Sequence, residues 1–255
     1  MLIKNGLIVR SELFKYHQII GDPITQLSRF NQWAVDELIY LDISKDDSYD
    51  VRRSDAKIAT EGRKNILDIL EVVSKNCFMP LTFGGRIRTL DDIQDRISRG
   101  ADKVTINTIA LENPSFIAES SHKFGSQCIV VSIDIRKHEN GTCEVFSKWG
   151  QESTGRDVIE WAKEVEKLGA GEIFLNSIDR DGTAKGYDIE LIKSVVNAVK
   201  IPVIACGGVG RFQHFVDGIV EGKSSAVSAA NIFHFTELSY KNAKKHMKLE
   251  GINVR

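Results

Sequence analysis

Residues 79–106, MPLTFGGRIRTLDDIQDRISRGADKVTI, are echoed by residues 201–229, IPVIACGGVGRFQHFVDGIVEGKSSAVSA. Each stretch reads as an apolar strand, a Gly-Gly turn, an amphipathic helix and the start of another strand. Such an internal repeat is the signature of a duplicated βα unit. In both stretches the glycines stand at the carboxyl end of a strand, just ahead of a helix amino terminus. Backbone N–H groups there can cradle an anion, and the helix dipole favours negative charge. Two such turns point to a barrel whose ligand carries a phosphate at each end.

The same alternation continues outward from the repeat. Strands are expected at Leu38–Asp42, Phe78–Phe83, Lys103–Ile106, Cys128–Ile133, Glu172–Asn176, Pro202–Cys206 and Ala226–Ala229. They are apolar on both faces, as parallel strands are when helices cover the outside and side chains fill the inside. Helices are expected over residues 23–33, 60–75, 90–99, 114–124, 157–169, 189–199, 211–221 and 236–249. Strands alternating with helices imply βαβ units. With a short stub at Met1–Ile3 as the first strand, the pattern predicts a (β/α)8 barrel, one domain over residues 1–255.

That length suits a single barrel of roughly 250 residues. The formal net charge of −1 gives no basic field for nucleic acid. No run of about 18 apolar residues indicates a membrane span. No apolar leader opens the sequence, and cytoplasm is the expected location. Cys77, Cys128, Cys143 and Cys206 lack CxxC or CxxH spacing. They read as small buried residues of a reducing compartment rather than metal ligands. No His, Cys or carboxylate group has metal-ligand spacing, and no cofactor is implied.

In a barrel, the residues just past the strands' carboxyl ends are the candidates for chemistry. These are Asp42, Gly84 and Gly85, Asn107 and Thr108, Asp134, Ser177–Thr183 (SIDRDGT), Gly207 and Gly208, and Asn231. Asp134 ends the apolar run CIVVSID. A carboxylate there is partly desolvated, which raises its pKa and suits general acid/base work. The alternative is a structural Asp holding loop N–H groups. In SIDRDGT one Asp is expected to cap backbone N–H groups, and the Gly to admit a phosphate. The charged segment 46–63 is expected to be a solvated loop, a lid or a partner contact. Trp33, His214 and His234 read as packed or structural. Tyr16, His17 and Trp149 lie in loops of the catalytic face.

GADKVTINTIALENP (100–114), FGSQCIVVSID (124–134), GAGEIFLNSIDRDGTAKGYD (169–188), IPVIACGGVG (201–210), NIFHF (231–235) and the closing GINVR resemble the HisF family, the cyclase subunit of imidazole glycerol phosphate synthase. The resemblance covers nearly the whole chain. It implies a (β/α)8 barrel lyase that takes ammonia from a separate HisH-like glutaminase docked on the barrel's amino-terminal face. Ammonia passes along the barrel axis and cyclises a ribonucleotide bearing two phosphates, in histidine biosynthesis. The family's catalytic aspartate at the end of strand five matches Asp134. Its phosphate-side residues match Asn107, Thr108, Asp181, Gly182, Gly207 and Gly208, and its charged ammonia inlet matches Glu37, Lys103 and Glu172. Gln127 also matches. A ring of stabilising ion pairs is the alternative for the three inlet residues.

Four departures qualify the resemblance. The family's second catalytic aspartate, in a pattern like LDVKDGRVVKG, is replaced by Leu2 in Leu2–Arg10 (LIKNGLIVR). The third Gly of the strand-three turn is Arg86, which either binds an anion from further out or fills the pocket. Cys206 and Asn231 stand where hydroxyl residues are expected after strands seven and eight. The resemblance also leads us to expect more of strand one, with an entrance arginine, ahead of Leu2. The scaffold and ammonia route are thus expected to persist while the cyclase chemistry is impaired. This is similar to the HisF-like paralogs of bacterial surface-polysaccharide clusters, which accompany a glutaminase and a sugar amidotransferase and serve acetamidino formation on a sugar. The open alternatives are the histidine-pathway cyclase and a non-catalytic scaffold for a glutaminase.

Overall fold

The computed structural model describes residues 1–46, 49, 63–235 and 238–255. The chain divides into two units. The first comprises Met1–Arg10 and His17–Val104, the second Ser11–Tyr16 and Thr105–Arg255.

In the first unit, β1 (Leu2–Lys4) and β2 (Leu7–Glu12) form an antiparallel hairpin with Lys4 opposite Leu7. Its two-residue turn is Asn5-Gly6, with φ of 49° and 78°, the pairing that a primed hairpin turn demands. β3 (Tyr16–Gly21) follows, and its first residue, like the end of β2, clusters with the second unit. α1 (Pro23–Trp33) opens on Asp22, whose carboxylate accepts from Ile24 and Thr25 N–H, with Pro23 at the first helical position. β4 (Leu38–Asp42) lies parallel to β1 and to β5 (Leu81–Gly84). α2 (Ile66–Asn76) and α3 (Leu90–Ser98) both begin with capping boxes, Asn65/Asp68 and Thr89/Asp92. Tyr40 and Phe83 stack at 5.1 Å in a core that includes Ile3, Ile69 and Leu70. β6 (Lys103–Ile106) carries the chain into the second unit.

The second unit continues through α4 (Thr108–Glu112), α5 (Ser115–Phe124), β7 (Ile129–Lys137), β8 (Cys143–Ser147), β9 (Glu152–Asp157) and α6 (Val158–Lys167). Then come β10 (Glu172–Ser177), α7 (Ile189–Ala198), β11 (Val203–Cys206), α8 (Gln213–Val220), β12 (Ala226–Val227), α9 (Ile232–Phe235) and α10 (Ser239–Leu249). β7, β10, β11 and β12 pair in parallel, and β8 and β9 extend β7 as an antiparallel ribbon. β6 lies beside β7 on the side away from β10. The ladder sets Asn176 beside both Asp134 and Cys206. Ladder partners on adjacent strands point to one face, so these three form a row at one level.

The expected alternation holds, with differences. The first strand is Leu2–Lys4 rather than Met1–Ile3, and the hairpin strands β2 and β3 were not anticipated. β12 stops two residues before Ala229, while β7 runs on to Lys137 because β8 covers it. The start of the expected 60–75 helix and most of segment 46–63 lie outside the described residues. The four cysteines are free thiols and half-buried rather than buried, because each lies at a strand end, in a turn or at a helix cap. Among the described residues no helix is long and apolar enough to cross a membrane, and no three His, Cys, Asp or Glu side chains could hold a metal ion.

Candidate functional site

Asp134 lies on β7 as the strand leaves the core and is 9% exposed. Its Oδ2 accepts from Asn107 Nδ2 at 2.7 Å, and its Oδ1 from the Ser132 hydroxyl at 3.3 Å. Ser132 is two residues earlier on the same strand and so shares its face. Burial pushes the carboxyl up to about 7, partly offset by the Ser132 and Asn107 hydrogen bonds and reinforced by the negative charge of Asp181. An acid poised there exchanges protons at neutral pH, as general catalysis requires.

Asn107 precedes α4 at φ −134°, ψ −79° and makes no side-chain cap, which leaves its amide for Asp134. The Thr108 hydroxyl accepts from Lys148 N–H at 3.4 Å. Lys148 and Trp149 both hold positive φ, 46° and 61°, in the β8–β9 turn, and Trp149 is 43% exposed. Two adjacent non-glycine residues in that region store strain.

In SIDRDGT both carboxylates hold backbone. Asp179 accepts from Lys137 N–H at 2.7 Å. Asp181 Oδ2 accepts from the Ser11 hydroxyl at 2.7 Å and from Phe14 N–H at 3.2 Å, and burial raises its pKa. Asn231 Nδ2 donates to Ser11 C=O at 2.9 Å. The tip of the β2–β3 hairpin is thereby held by two predicted site residues, while Gly182 lies against Ser11 and Glu12. Desolvation around the Cys206 sulfur, with Asp181 near, pushes that thiol up to about 12. It stays protonated at neutral pH.

Gly207 and Gly208 follow β11 with φ of 100° and 98°. A Cβ on Gly208 would fall on the Gly186 carbonyl. Close backbone approach, and not anion binding alone, accounts for glycine there. The Gly84-Gly85 turn behaves alike in the first unit, where a Cβ on Gly85, at φ 90°, would strike the Asp42 backbone. Arg86 has φ 60°, and its Nη1 donates to the carbonyls of Ser44, at 3.3 Å, and Asp46. The Arg86 side chain thus lies against the Ser44 and Asp46 carbonyls.

Asp42 ends β4 with both carboxylate oxygens hydrogen-bonded. Oδ1 accepts from Ser44 N–H at 2.9 Å and Ser44 Oγ at 2.5 Å, and Oδ2 from the Tyr49 hydroxyl at 3.2 Å. Leu2, expected in an acid's place, is laddered between Leu41 of β4 and Val9 of β2. Of the inlet residues, Lys103 and Glu37 form an ion pair at 3.2 Å. Glu172 opens β10 on the face shared with Phe174 and Asn176. Trp33 is buried against Phe30, as expected, and His214 is buried on α8.

Two residues of the second unit were missed from the sequence. Asn176 is 8% exposed, and its Oδ1 is buried with no hydrogen-bond partner. Ser132 hydrogen-bonds Asp134. Both lie inside apolar runs at even spacing from a recognised site residue, and that spacing is the signal that would have found them.

A family model described as histidine biosynthesis protein matches residues 1–239. The chain belongs to that family. Its fold is therefore the (β/α)8 barrel, in agreement with the parallel strands and flanking helices of both units, and its coarse functional class is a HisA/HisF-like synthase or isomerase. The candidate residues at the carboxyl ends of β6, β7, β10 and β11 occupy the part of such a barrel where chemistry is carried out.

Proposed function

We propose that this protein is the HisF-like, ammonia-using subunit of a synthase, a single barrel over residues 1–255 that works with a glutaminase and serves amidation of a bacterial surface sugar. One contrast carries this reading. Asp134 keeps a protonatable carboxyl in a row of polar strand-end side chains, whereas the position where the resemblance calls for a second acid holds Leu2, a hydrocarbon within a ladder. One acid suffices to shuttle a proton to or from a nitrogen. A ring closure that needs two acid/base partners loses about 10²–10⁴-fold with one of them gone. The Lys103–Glu37 pair in the first unit and Glu172 at the start of β10 in the second each support a charged inlet residue set on the amino-terminal side, where the glutaminase docks. Asp134 is the catalytic residue. Asn107, Thr108, Asp181, Gly182, Gly207, Gly208 and Asn231 contact the acceptor, while Gly84, Gly85 and Arg86 form a turn that the Arg86 side chain closes.

The test has two arms. Purified protein given ammonium chloride and the bis-phosphate ribonucleotide of the histidine pathway should yield no imidazole glycerol phosphate. Cells in which the protein carries Asp134→Ala should lose amidation of their surface sugar. Rapid imidazole formation would return the histidine-pathway cyclase, and unchanged sugar amidation would leave a glutaminase-binding scaffold.

A further inference from the structure

The row of side chains around Asp134 has an imbalance. In the second unit, Asn107 directly follows β6 and Asn176 lies on β10, the two strands that flank β7. Asn107 Oδ1 and Asn176 Oδ1 are both buried, and neither has a hydrogen-bond donor among the described residues. Thr105, on β6, likewise has an unpartnered buried hydroxyl. Leaving such atoms bare is unfavourable. Polar atoms of this kind are otherwise almost always satisfied, by protein, water or ligand. Two lone acceptors flanking a carboxyl ask for a small ligand rich in donors, and a positive charge suits it best when the carboxyl is ionised. Phosphate has no such fit here, because it brings acceptors to acceptors.

Resting on the ammonia-using function proposed above, we infer that Asn176 and Asn107 hold an ammonium ion against Asp134, with Asn176 Oδ1 and Asn107 Oδ1 accepting its N–H bonds. Asn176 is then a binding residue for nitrogen rather than for the sugar. Asp134, the neighbouring base, takes the proton that converts ammonium to nucleophilic ammonia.

Asn side-chain amides give resolved ¹H–¹⁵N signals, which permits a test independent of turnover. Titrating the full-length protein with ammonium chloride at constant ionic strength should move the Asn107 and Asn176 side-chain signals saturably. Sodium chloride or tetramethylammonium chloride, neither of which donates hydrogen bonds, should leave them still. Asn176→Leu should weaken ammonium binding about tenfold to a hundredfold, read on Asn107. Asn176→Asp, which keeps an acceptor, should restore it. Backbone spectra of each variant report whether it is folded. Signals that stay put in ammonium, that move equally in sodium, or an Asn176→Leu protein that is folded and binds ammonium undiminished would each overturn the inference. Ammonium binding without sugar amidation would instead overturn the proposed function while this site stands.

Discussion

Asp42 and Asp134 close apolar stretches of nearly the same pattern, LIYLD and VVSID, the first at the last residue of β4 and the second three residues before the end of β7, one in each unit, yet they have different fates. Asp42 is surrounded by donors, including a backbone N–H, and it ties Ser44 and Tyr49 to the end of β4. Asp134 accepts from two side chains and has acceptors for its other neighbours. Burial raises both, but the Ser44 hydrogen bonds and then the charge of Arg86 pull Asp42 back. At Asp134 the Ser132 and Asn107 hydrogen bonds offset burial only in part, Asp181 adds to the rise, and the carboxyl stays at about 7. What separates a carboxylate that holds structure from one available for chemistry is the surplus or shortage of donors around it, not its place at a strand end.

The largest expected effect tests that contrast directly. Asp134→Asn should cut amidation about 10²–10⁴-fold, while Asp42→Asn, measured in the same cells, should stay within about tenfold of the parent. Equal losses would erase the distinction.

Next comes pH. Unfolded, the Asp134 carboxyl titrates near 4. Folded, it titrates at about 7. Between those values the native state holds a proton that the unfolded chain has released, so stability attached to this group is full below pH 4 and falls as pH rises through 7. Relative to Asp134→Asn, the parent should lose up to about 4 kcal/mol between pH 4 and pH 8, as followed by urea denaturation at each pH. A flat difference would mean that the carboxyl is solvated.

Asp42→Ala should cost about 2–4 kcal/mol of stability in the same experiment, because the Ser44 N–H and the Ser44 and Tyr49 hydroxyls lose their acceptor. The smallest effect belongs to Lys103→Met. Its partner Glu37 is half-exposed, so stability should change by less than about 1 kcal/mol. A visible fall in glutamine-driven but not ammonium-driven amidation would mark the pair as part of the inlet.

Much of this was legible in the residues. The repeat 79–106 and 201–229 revealed the βα alternation because parallel strands buried on two sides cannot hide their apolar runs. Asp134 was legible for the same reason, as a charge ending such a run. The β1–β2 hairpin was not legible although Asn5-Gly6 is a hairpin turn, because β1 has only three residues, too few to show an alternating pattern. Asn176 was missed because an amide inside IFLNS draws no notice until the ladder sets it beside Asp134. Arg86 admits two roles from sequence, and sequence cannot show that its guanidinium turns back onto the Ser44 and Asp46 carbonyls.

The hairpin tip Ser11–Tyr16 belongs with residues 105–255 and not with the strands that carry it. Cutting the gene after codon 104 therefore does not yield two self-sufficient halves. The distal fragment would leave Asp181 and Asn231 without Ser11, their shared anchor. A distal piece meant to fold unaided needs those six residues grafted back, and any fusion or permutation of this barrel should treat them as distal property.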